Sequence, residues 1–229
     1  MVFHSIKLFK CRRDIALLDL LPMLKSREFR RIWENPETGQ EDVLVTSIEE
    51  VRYEEKQRYI RGLIKEDFPL VFTERNNQKK AVKSLVEIPF AFLPGSLYFL
   101  PMADRKKSDE AANVIGRELF GSELLKMTFQ TGQIRTFLQR NAYTLNLCNW
   151  KELGLPGTDN VQLSGSEVRE NPDYERYESM GKEKRIRITL ESNGWSIGLS
   201  EDGIVTFYTD IDENRAYAFI RDKLIPILM

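Results

Sequence analysis

The chain has 229 residues, 41% hydrophobic and 30% charged, and its 34 Lys and Arg against 35 Asp and Glu leave a formal net charge of −1. That is an ordinary globular composition, long enough for one large domain or two small ones; it excludes a disordered chain and a histone-like polycation but still permits local basic faces. One histidine, His4, and two cysteines, Cys11 and Cys148, exclude a multi-histidine zinc site and a disulfide scaffold, and a Ser-His-Asp triad or a Cys-His pair is not expected.

Val2 to Phe9 alternates as an opening strand with Phe3, Ile6 and Leu8 inward, and its charges break any signal-peptide run. A leucine-rich segment from Asp14 to Trp33 reads as a kinked helix or two short helices, because Pro22 removes a backbone donor. Asn35-Pro36 and Gly39 make a turn, Val43 to Ile48 a strand, and Glu54 to Arg58 a solvated stretch before Tyr59 to Ile64. Phe68 to Phe72, Leu85 to Leu93 and Leu97 to Leu100 read as sheet, with a type II turn at Pro94-Gly95, and Pro89 and Pro101 suggest an edge or bulge. Ser108 to Phe120 is a helix stopped by Gly121, and a second helix is expected over Gln133 to Leu145.

Residues 149–183 are punctuated by glycines and prolines and are expected to form a linker or extended loop, between an N-terminal α+β domain, 1–148, and a C-terminal module, 184–229. In that module Arg185 to Glu191 alternates, Asn193-Gly194 and Asp202-Gly203 turn the chain, and Trp195 to Leu199 and Ile204 to Tyr208 return it. Asp210 stands at capping-box spacing from Glu213, and Ala216, Phe219, Ile220 and Leu224 share a helical face. The expected class is therefore α+β, with antiparallel sheets, helices on one face, and a β-β-β-α C-terminus. Leu85 to Phe120 echoes that plan as hairpin then helix.

No stretch of about 18 apolar residues runs without a charge, so no membrane span is expected and a cytoplasmic setting fits the few cysteines. Gly-x-x-x-x-Gly-Lys-Ser/Thr and Gly-x-Gly-x-x-Gly are both absent, and no cofactor or metal site is expected. Five basic clusters stand out: Lys10-Arg12-Arg13, Lys25-Arg27-Arg30-Arg31, Lys79-Lys80-Lys83, Arg105-Lys106-Lys107 and Lys182-Lys184-Arg185-Arg187. Clusters sharing a face would track phosphates through counterion release. Arg105, Lys106, Lys107, Lys184, Arg185 and Arg187 are the candidate phosphate contacts, and Trp150 and Trp195, with Tyr208 and Tyr98 beside them, the candidate stacking or partner contacts.

The strands Arg185 to Leu190, Trp195 to Leu199 and Ile204 to Tyr208, followed by the helix ending near Leu228, resemble a half-repeat of the TATA-binding-protein-like, helix-grip fold. The overall build is similar to the N-terminal and linker partner subunit of split prokaryotic Argonautes. The absence of a complete catalytic set and the clustered basic residues point to an accessory protein that binds a partner subunit or its own copy, and DNA or RNA through basic faces; the resemblance to the Argonaute partner implies a nucleic-acid-guided defence complex. Two other readings stand beside it. Glu87, Asp104 and Lys106 have the residue content of a divalent-metal, restriction-endonuclease-like nuclease. A purely structural oligomer built through sheet edges is the other.

Overall fold

The computed structural model describes residues 4–13, 15–25 and 27–228. In chain order these carry β1 (His4–Lys7), β2 (Phe9–Lys10), α1 (Leu17–Leu24), β3 (Arg27–Glu34), β4 (Glu41–Glu54), β5 (Tyr59–Thr73), β6 (Lys79–Leu93) and β7 (Tyr98–Pro101). Then follow α2 (Arg105–Phe120), β8 (Leu125–Lys126), α3 (Thr131–Gln139), β9 (Tyr143–Leu155), β10 (Thr158–Ser164), α4 (Tyr174–Met180), β11 (Lys182–Leu190), β12 (Ser196–Ser200) and β13 (Ile204–Phe207). The last helical segment is α5 (Glu213–Phe219), a π turn over Ile220–Leu224, and α6 (Ile225–Leu228). The α+β class holds, with antiparallel strand pairing throughout the registered pairs. Among the described residues, no helix is long and apolar enough to cross a membrane.

Two compact units divide the described chain. The first takes residues 4–9, 103–105 and 125–228, and the second takes 10–102 and 106–124. This corrects the division at 149–183. That segment is the end of β9, the β10 hairpin strand, α4 and the start of β11, all inside the first unit. Its glycines serve turns: Gly154 and Gly157 hold φ of +66° and +71° around the β9–β10 hairpin.

The first unit is a sheet ordered β1-β13-β12-β11-β9-β10. Alternation sends Ile186, Ile188 and Leu190 of β11, Ile197 and Leu199 of β12, and Val205 and Phe207 of β13 inward, all buried. Each such side chain contributes about 1.5–3 kcal/mol by leaving water. The helices cover this face: the Phe219 ring of α5 meets Phe137 of α3, Phe207 of β13 and Trp195, at centroid distances of 6.2, 5.8 and 5.9 Å. The meander departs from its sequence reading in detail. The Gly194 N–H donates to the Leu190 carbonyl, so five residues connect β11 to β12 rather than two. The α5 cap is Asp212, whose side chain accepts from the Arg215 N–H, rather than Asp210.

The second unit is a meander, β3-β4-β5-β6-β7, with α1 and α2. Here the helix expected through Trp33 fails after Leu24. Arg27–Glu34 pairs with Glu41–Ile48 along its whole length, an edge strand whose alternating Phe29, Arg31 and Trp33 favour pairing over an isolated amphipathic helix. The expected α2 begins at Arg105, three residues before Ser108, and stops at Gly121 with φ +62°; α3 ends at Gln139, so the residues from Tyr143 onward, read as helix, are strand. Val2, Phe3 and Asp14, part of two expected elements, lie outside the described residues.

On the α2 side of this sheet lies a buried carboxylate, Glu66. Arg31 of β3 donates to it at 3.2 Å and also to Glu110 of α2. Its other oxygen, Oε2, has no protein partner. Burial pushes Glu66 up to about 7, against the pull of Arg31 and with Glu110 and Asp67 adding to the rise.

Candidate nucleic-acid interface

The register of the first unit defines its outward residues. Arg185 of β11 faces Ser200 and Asn149, Arg187 faces Gly198 and Leu147, and Thr189 faces Ser196 and Thr144. β10 adds Gln162 opposite Asn149 and Ser164 opposite Leu147, and β13 adds Thr206 opposite Gly198 and Ser5. None of these outward positions holds Asp or Glu. In a chain whose acids outnumber its bases by one, that local asymmetry is what a phosphate-binding surface requires.

Arg185 and Arg187 are both exposed, and their hydrogen bonds go to hydroxyls rather than carboxylates. Arg185 Nη2 donates to the Tyr208 hydroxyl, and Arg187 Nε donates to Ser196 Oγ at 3.2 Å. The Arg187 guanidinium also lies over the Tyr208 ring, 4.5 Å from its centroid. Tyr208 follows β13 directly, and its backbone N–H donates to the Ser196 carbonyl. Gly198 makes room for the ring: a Cβ there would stand 3.0 Å from Tyr208 Cε2 and 3.3 Å from its hydroxyl. An aromatic ring resting on a glycine holds two uncompensated guanidiniums on an open sheet.

Toward one end of the face the charge pattern changes. Lys151 and Lys182 face one another across β9 and β11, but Glu201 lies 2.5 Å from Lys151 and Glu152 lies 2.5 Å from Lys182. These lysines are neutralised in place, so the arginines and the exposed Lys184 beside them carry the field. Glu183, the next residue, is buried and bonds Arg135 of α3 at 2.8 Å.

The structure separates the residues singled out by sequence. Lys184 is exposed at a β-bulge of β11, beside the two arginines. Arg105 pairs with Asp202 at 2.9 Å. Lys106 belongs to the second unit, where its Nζ sits 5.0 Å from the Phe68 ring centroid, and Lys107 belongs there too. The stacking role expected of Trp150 is corrected: its ring is fully buried, edge-on to Tyr174 at 5.5 Å, and meets no solvent. Tyr98 is buried likewise. Trp195 is half-buried against Phe219, a core contact. Glu87 lies 3.7 Å from Lys65 in the second unit whereas Asp104 belongs to the first, and among the described residues no three His, Cys, Asp or Glu side chains are grouped to hold a metal. Gly198 and Ser196 went unnoticed in the sequence. Laying the alternation of β11 against β12 would have found them, given the true turn length.

Fold and site define a class: an α+β protein whose antiparallel sheet carries helices on one face and an uncompensated pair of arginines on the other. No protein-family model matches the chain, and no curated protein matches it.

Proposed function

We infer that the chain is an accessory protein that holds nucleic acid by its phosphates on the open sheet face of the first unit, while the second unit meets a protein partner. The observation that carries this reading is the stretch of outward positions around Arg185 and Arg187, from Gln162 and Ser164 of β10 to Thr206 of β13, that holds no carboxylate. The meander-then-helix order that TATA-binding-protein-like half-repeats share supports it, as does the polar lining of short Ser, Thr and Asn side chains that lets a backbone approach. A partner is supported by exposed Ile32, Val43 and Leu85, 70%, 50% and 64% accessible, on the sheet of the second unit. Membership of a nucleic-acid-guided complex belongs to the same proposal. A reducing, cytoplasmic setting fits the free, buried thiols of Cys11 and Cys148.

The test is fluorescence anisotropy with labelled oligonucleotides at low salt, comparing the native chain with R185E/R187E, with circular dichroism to confirm that the variant folds. The double reversal is expected to weaken binding on the order of 100-fold. Equal affinity in a folded variant would sink the assignment of this face.

A further inference from the structure

We propose that the ligand of this face is a single-stranded segment of nucleic acid, with one base laid on the guanidinium of Arg187. The inference rests on the reading above and specifies the form of the nucleic acid. Among the described residues of the face, the guanidiniums of Arg185 and Arg187 and the exposed Lys184 beside them have no carboxylate partner, since Lys151 and Lys182 are paired with Glu201 and Glu152. Each neutralised phosphate adds an increment of salt-dependent affinity, and a protein with roughly 6–10 such contacts gains several orders of magnitude from them. A face with three such cations gains far less from charge, which leaves room for a second source of affinity.

The geometry around Tyr208 supplies it. The side-chain-free Gly198 accommodates the tyrosine ring, and the Arg187 guanidinium sits over that ring, with Ser196 Oγ holding Nε at 3.2 Å. Arg187 is itself exposed, so the cation is backed by an aromatic ring and open to solvent. A planar guanidinium fixed in this way is a stacking surface for a nucleobase, and bases stacked within a duplex have no free face to offer it. Arg185, tied through Tyr208 to the same cluster, stands directly opposite Asn149 of β9, so a phosphate donor and an amide lie beside the stacking plane. The amides Asn149 and Gln162 oppose one another across β9 and β10; Asn149 Oδ1 is buried, and the exposed Gln162 amide offers both a donor and an acceptor to a splayed base edge.

The experiment uses the full chain in anisotropy titrations against labelled dT20, U20, a 20-base-pair duplex and a 20-mer strand of abasic sites, over a range of salt. The strands with bases are expected to bind about tenfold tighter than the abasic strand, which carries the same phosphates, and tighter than the duplex. R187K retains the charge and lacks the plane; it is expected to lose most of the advantage of base over abasic strand while keeping the same salt slope. The dT20 and U20 arms decide between DNA and RNA as the source of the strand. Duplex or abasic strand bound as tightly as dT20 and U20, or R187K indistinguishable from the native chain, would overturn the stacking proposal and leave the phosphate-binding reading in place. Binding to none of the four probes would overturn both.

Discussion

Each unit presents a sheet with one face under helices and one face open, and the two open faces are built on opposite terms. On the first, outward positions other than Leu147 and the basic residues are small or polar, and the hydrogen bonds of Arg185 and Arg187 go to hydroxyls. On the second, Lys65 lies between Glu49 at 2.9 Å and Glu87 at 3.7 Å, and Lys83 is held by Asp42 at 3.2 Å, while Ile32, Val43 and Leu85 stand exposed between them. Cross-strand ion pairs of this kind cancel a face's field and add little stability. A net charge near zero therefore says nothing about either face. One sheet is suited to anions and the other to apolar contact, and the distinction lies in which residue stands opposite each cation.

The sharpest way to break the comparison is to supply the missing acids. S196D/S200D places carboxylates beside Arg187 and Arg185, where the face has none, and nucleic-acid affinity measured at low salt is expected to fall on the order of tenfold or more. An affinity within a factor of two of the native chain would show that phosphates bind elsewhere.

A second prediction concerns stability and the buried acid of the second unit. The folded-state value for Glu66, about 7, exceeds its ordinary value of 4.5. Between those two the folded chain holds a proton that the unfolded chain has released, so stability declines as pH rises from about 4.5 to about 7 and is level above that window. The melting temperature is expected to drop by a few degrees, roughly, between pH 5 and pH 8, and Glu66→Gln is expected to flatten much of that slope. An unchanged slope in the variant would show that Glu66 is not the source of the dependence.

The cradle of the ring gives a smaller effect. Gly198→Val pushes branched methyls into the space of Tyr208, and nucleic-acid affinity is expected to fall about threefold to tenfold with the fold retained by circular dichroism. The smallest expected change in nucleic-acid affinity comes from the second face. I32D/L85D should bind oligonucleotides within about twofold of the native chain while abolishing whatever association sedimentation detects, because the paired lysines there contribute no net field.

The C-terminal meander was legible because its strands, turns and helix are local: alternation of Ile186, Ile188 and Leu190 with Arg185, Arg187 and Thr189 marks two faces without any knowledge of neighbours. Pairing at a distance was not. Arg27–Glu34 reads as helix by its neighbours and becomes a strand only because Glu41–Ile48 is there to bond it. The glycines and prolines of 149–183 resemble a linker until the β9–β10 hairpin accounts for them. Trp150 looked available because residues 149–183 read as a linker or extended loop, yet Tyr174 and Tyr177 of α4 close over it. Arginines at 185 and 187 were visible as charge. Their freedom from carboxylates follows from register across four strands, which no single segment encodes.

The central claim is that two uncompensated arginines on the first unit's open sheet hold phosphates. The measurement that addresses it most directly is the slope of log affinity against log salt for a single strand, taken for the native chain and for R185Q/R187Q. The native chain is expected to show a slope of at least about −1.4, near −0.7 for each neutralised phosphate, and the double variant a slope shallower by about that amount. Identical slopes in the two proteins would contradict the account, because the phosphates would then be neutralised by residues other than Arg185 and Arg187.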